Sequence, residues 1–103
     1  MERTGVIPNR EQIADEIKQV IDEVYRGRYR SSEDNTFNAI KRATDHALGE
    51  LRSRGQAGIA DRLTTEISHQ YLMKHRYQRM PALAAFIEAA DEVLEKFAAG
   101  EIV

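Results

Sequence analysis

Apolar side chains recur along this chain at three- and four-residue intervals in four stretches, separated by short polar breaks. Ile13, Ile17, Val20, Ile21 and Val24 form the first stripe, and Phe37, Ile40, Ala47, Leu48 and Leu51 the second. Ile59, Leu63, Ile67 and Tyr71 form the third, while Leu83, Phe86, Ile87, Ala90, Val93, Leu94 and Phe97 make the widest face, near the C-terminus. That period lines one side of an α-helix, and no stretch alternates with the period of a strand. The breaks carry the chemistry of helix ends. Asn9 follows Pro8 and has Gln12 three residues on, an N-cap with a capping-box partner. Gly27 can close the first helix in a left-handed conformation. Ser32, Asp34 and Asn35 are cap candidates for the second helix, which stops at Gly55; Pro81 suits the first turn of the fourth, which stops before Gly100.

The pattern predicts helices over about 9–26, 34–54, 57–78 and 81–99 in a single domain, residues 1–103. With such short connections they are expected to pack as an all-α, four-helix, up-and-down antiparallel bundle made of two helical hairpins. A shift of 46 positions aligns Ile13 with Ile59, Asp15 with Asp61, Tyr25 with Tyr71 and Leu48 with Leu94. Two helical hairpins share this much through periodicity alone, so both duplication and coincidence stay open.

Composition narrows the picture. At 103 residues without cysteine, the chain can bury a core without disulfides, and no thiolate metal site is available. The longest apolar run, ALAAFI at 82–87, is too short to span a membrane, and MERTGVIPNR lacks the hydrophobic region of a secretory signal. A cytoplasmic protein without membrane association is expected. The net charge of −2 conceals a gradient: residues 1–24 sum to −3, residues 25–80 to +5 and residues 81–103 to −4. Such asymmetry can steer a partner to the basic middle of the chain.

The basic middle has a focus. YRGRYR at 25–30 and YLMKHRYQR at 71–79 close the first and third helices, and in an up-and-down bundle both ends lie at one pole. Arg26, Arg28, Arg30, Lys74, Arg76 and Arg79 are then expected to approach one another there, with Tyr25, Tyr29, Tyr71 and Tyr77. Arginine offers a forked donor to carboxylate or phosphate, and tyrosine gives rigid contact area with a polar tip. Cations in the last turn of a helix are also favoured by its dipole without any ligand, and Glu33 and Asp34 lie at the same pole. Phase adds a second feature. Counting from Leu63, Leu72 points away from the third stripe, Met73 sits on its border, and Gln70 and Lys74 turn inward. Leu72 and Met73 are therefore expected either to mark a splayed bundle or to meet another chain.

Other chemistry is sparse. Glu66 and His69 have the Glu-x-x-His spacing of di-iron bundles but lack a second such pair, and His46 with Glu50 suits a surface contact one turn apart, so no metal and no cofactor is expected. GIADRLTTEISHQY begins like a helix-turn-helix, but Thr64 stands where the turn wants glycine and Gln70 where the core wants an apolar residue. Arg62 and His69, with six residues between them, resemble the Arg-x(4–6)-His motif of HEPN ribonucleases, although Leu63 follows Arg62 where that family tends to place a polar residue. The resemblance implies ribonuclease activity, the third of three readings. The first is a small non-enzymatic interaction module, a regulator or adaptor, that binds an acidic protein surface through Arg26, Arg28, Tyr29, Arg30, Leu72, Met73, Lys74, Arg76, Tyr77 and Arg79. Self-association is compatible with it. The second is a nucleic-acid-binding accessory protein using the same pole, which a pI near 5.9 disfavours.

Overall fold

A computed structural model of the chain describes residues 9–27 and 32–101. The described residues form four α-helices and no strand: α1 (Arg10–Gly27), α2 (Glu33–Ser53), α3 (Ala57–Leu72) and α4 (Ala82–Ala98), with a single π-helical turn, Met73–Tyr77, continuing α3. The helix ends follow the local sequence. Asn9 and Gln12 form the reciprocal capping box: the Gln12 N–H donates to Asn9 Oδ1 at 2.8 Å, and the Asn9 N–H to Gln12 Oε1 at 3.1 Å. Ser32 caps α2, its Oγ accepting from the Asn35 N–H at 3.2 Å. Gly55 and Gly100 take the left-handed conformation at φ 87° and 83°, closing α2 and α4. Gly27 differs from expectation. It is the last helical residue of α1 and does not take a positive φ.

The helices run alternately up and down. At one pole Arg10, at the start of α1, lies 5.2 Å from the ring centre of Phe97 at the end of α4, and Arg54, just past α2, reaches Glu16 of α1. At the other pole Phe37 of α2, Tyr71 of α3 and Phe86 of α4 pack ring against ring at 5.8–6.0 Å. Between the poles the stripes meet as a continuous core built on Ile13, Ile17, Ile21, Ile40, Leu48, Leu51, Leu63, Ile67, Phe86, Val93, Leu94 and Phe97. Fully burying one such side chain stabilises the fold by about 1.5–3 kcal/mol. Thr36 and Thr44 also face inward from α2, and the Thr44 hydroxyl hides its polarity by donating to the Ile40 carbonyl at 2.8 Å.

One packing detail decides how the functional elements are arranged. Ala85, Ala89 and Ala90 are fully buried on α4, and with no side chain beyond Cβ they let α4 approach α2 across the bundle as well as its neighbours α1 and α3. Closing that diagonal leaves α1 and α3 on the long one. Among the described residues, no Cα of α1 comes within 8 Å of one in α3 or in the π-turn. The C-terminal ends of α1 and α3 thus share a pole, as expected, without approaching each other.

Candidate interaction surface

The end of α3 is where the chain departs from regular geometry. After Leu72 the helix widens for one turn. The Gln78 N–H bonds the Met73 carbonyl at 3.1 Å, five residues back, and the Met80 N–H reaches the Lys74 carbonyl at 3.0 Å, six back. The second bond makes a closure one residue wider than the usual helix-terminal turn. It requires a left-handed residue, and that residue is Arg79, at φ 61° the one non-glycine with positive φ among the described residues. Left-handed backbone costs an L-residue about 1–2 kcal/mol. Wide turns and strained backbone of this kind concentrate at functional sites.

Two contacts hold the π-turn, the first from beneath. Lys74 turns inward, only 6% exposed, and its ammonium donates to Glu92 Oε2 at 2.7 Å and Glu88 Oε1 at 3.1 Å. The hydrogen bonds from Glu92 and then Glu88 hold its pKa above the ordinary lysine value of 10.5, against the opposing effect of burial. His75 stacks on Tyr71 at 5.3 Å and 13°, and its Nδ1–H donates to the Met80 carbonyl at 2.8 Å. Tyr71 passes that support into the core through Phe37 and Phe86.

With Lys74 and Tyr71 committed inward, the outer side of the turn carries the remaining large side chains. Leu72 is 48% exposed, Met73 39% and Tyr77 72%. They are three of the four large hydrophobics that stand exposed among the described residues, and they fall within six positions of one another. Arg76 and Arg79 lie in the same segment, exposed, with no ion-pair partner among the described residues. Two cations beside an apolar ridge can bind a complementary surface by burying Leu72, Met73 and Tyr77 while the guanidiniums bond carboxylates at the rim.

The other expected members of the site are placed differently. Arg26 is at the end of α1, exposed and 3.6 Å from Asp22 one turn back. Arg28, Tyr29 and Arg30 lie outside the described residues. Lys74 belongs to an internal ion cluster rather than to the open surface, and Tyr71 to the aromatic core edge, so the proposed pole is narrower than the sequence implies. Sequence reasoning missed Glu88 and Glu92. Their one-turn spacing on a helix rich in alanine was the available signal, but nothing local links them to Lys74, 14 and 18 residues away.

The remaining chemical candidates are surface pairs. Arg62 sits 3.7 Å from Glu66, His46 sits 3.3 Å from Glu50, and His69 is exposed. Among the described residues no three His, Asp or Glu side chains converge as a metal site would need, and no helix is long and apolar enough to cross a membrane. An open cleft of about 450 Å³ lies between α1 and α2, lined by Val24, Gly27, Asn35, Asn38, Ala39 and Arg42. Compared with protein families, with curated proteins and with solved structures, the chain matches none.

Proposed function

We propose that this chain is a small non-enzymatic helical interaction module, a regulator or adaptor, that binds an acidic surface on another protein through the outer side of the π-turn. The observation that carries the reading is the joint exposure of Leu72, Met73 and Tyr77 on a turn whose closure forces Arg79 into a left-handed conformation. Folding alone gives no reason to hold three large apolar groups in water on a strained segment. Binding energy at protein interfaces concentrates in such apolar and aromatic anchors, with arginine at their edge. Lys74 contributes support instead of contact: paired with Glu88 and Glu92, it fixes the turn from below.

Nucleic-acid binding by the same pole is the alternative, favoured by Arg76 and Arg79, which carry no ion pair among the described residues. Phosphate binding draws on many cations. Among the described residues the internal pairing of Lys74, the Asp22 contact of Arg26 and the acids Glu33 and Asp34 in the first turn of α2 leave few here. Capture from native lysate separates the two, with bound protein and bound nucleic acid measured for wild type, Leu72→Gln/Met73→Gln and Arg76→Glu/Arg79→Glu. Loss of a protein partner in both variants supports the proposal. Recovery of nucleic acid lost only in the arginine variant supports the alternative, and equal recovery by all three forms removes this surface from consideration.

A further inference from the structure

Resting on that reading of the surface, we infer that its occupant is an acidic segment of a different protein, carrying closely spaced apolar side chains, and not a second copy of this chain. The charge layout separates the two. Among the described residues the exposed large hydrophobics are Tyr25, Leu72, Met73 and Tyr77, so apart from Tyr25 the described surface of a second copy offers only the same ridge. Pairing ridge with ridge sets Arg76 and Arg79 against their own counterparts, placing four guanidiniums in one small contact. Like charges across an interface oppose docking. Asp22, Asp91 and Glu95 cluster on α1 and α4, with Tyr25 exposed one turn beyond Asp22, but Arg26 pairs with Asp22 at 3.6 Å and Lys18 with Glu95 at 3.7 Å, so the cluster offers little free carboxylate to Arg76 and Arg79. Neither face of this chain therefore supplies both halves of the complement. A foreign segment with leucine-like anchors flanked by carboxylates supplies both: the anchors cover the ridge, and the carboxylates reach Arg76 and Arg79, which carry no ion pair among the described residues. Lys74, outnumbered by Glu88 and Glu92, adds no free positive charge, so in this segment the recognising charge rests on the two arginines.

The test uses two synthetic peptides with leucines at successive helical turns, one with glutamates between them and one with lysines. Their binding to the full-length protein is measured by fluorescence anisotropy, beside sedimentation equilibrium of the protein alone. The glutamate peptide is expected to bind at least ~10-fold tighter than the lysine peptide, and more weakly as salt rises. Arg76→Glu/Arg79→Glu reverses the preference, Leu72→Gln/Met73→Gln weakens both peptides, and the protein alone stays monomeric. All four positions are exposed or carry no ion pair, and retained helicity with cooperative melting shows that the variants fold. Equal binding of the two peptides, no binding of either, or a dimer abolished by the leucine and methionine substitutions overturns the inference. If those substitutions weaken binding while peptide charge is irrelevant, the surface stands and only the partner's acidity is wrong. If neither peptide responds to them, the surface itself is wrong.

Discussion

Replacing Arg79 with glycine should make the protein more stable while weakening its proposed function. Arg79 holds φ 61°, a conformation that costs an L-residue about 1–2 kcal/mol and glycine almost nothing. Glycine gives back part of that gain because its unfolded chain has more freedom, an effect of about 0.4–1 kcal/mol. The Arg79 side chain makes no ion pair among the described residues, so little else is lost. The midpoints of these ranges give a net stabilisation of about 0.8 kcal/mol, which for a domain of this size raises Tm by roughly 3–6 °C. Thermal melts followed by circular dichroism read it directly, with Arg79→Val as the opposing control, because a β-branched residue tolerates positive φ least. An unchanged or lower Tm for Arg79→Gly would refute the reasoning, since it would mean either that the turn is unstrained or that the guanidinium stabilises the fold.

Three further expectations test the support around that turn and the helix ends. The pKa of Lys74 is raised by Glu92 and Glu88, so its ionic contribution is complete below pH 10.5 and lost as pH rises through the raised folded value. Urea titrations should therefore show wild type losing stability in that alkaline window relative to Lys74→Met, and parallel curves would contradict the ion cluster. Burial, with lesser repulsion from Glu95 and Asp22, raises the pKa of Asp91 above 3.8 despite the attraction of Lys18. A carboxyl with a raised folded pKa favours the fold when protonated and opposes it once ionised, so Asp91→Asn should stabilise at neutral pH by a few tenths of a kcal/mol after solvent screening, with the gain vanishing as pH falls below about 4. Asn9→Ala removes the side-chain acceptor of the capping box and should destabilise the protein by about 1 kcal/mol in the same urea assay.

Local signals in the sequence were readable where one residue type has one physical use. The Asn9 and Gln12 box, the Ser32 cap, the four apolar stripes and the stops at Gly55 and Gly100 all rest on interactions within a few residues. Helical phase also placed Lys74 inward and Leu72 outward before any tertiary contact was known. Other features depend on what the chain meets across the bundle. A π-turn differs from an α-turn by a single residue, and the composition of MKHRY does not distinguish them. The burial of Thr36 and Thr44 escapes a hydropathy stripe because threonine satisfies its hydroxyl locally and packs through its methyl group. The separation of α1 from α3 was hidden for a third reason: connectivity fixes which ends share a pole, whereas the buried alanines of α4 fix which diagonal closes.

On the proposed reading, a partner sits on the outer side of the π-turn. Amide shift mapping of the ¹⁵N-labelled protein during titration with the glutamate peptide tests it most directly. Shifts are expected to concentrate on residues 72–80 and to extend to the Tyr71 amide, with the cleft lined by Asn35, Asn38 and Arg42 unaffected. Shifts centred on that cleft or on the acidic face of α1 and α4, with residues 72–80 unmoved, would contradict it.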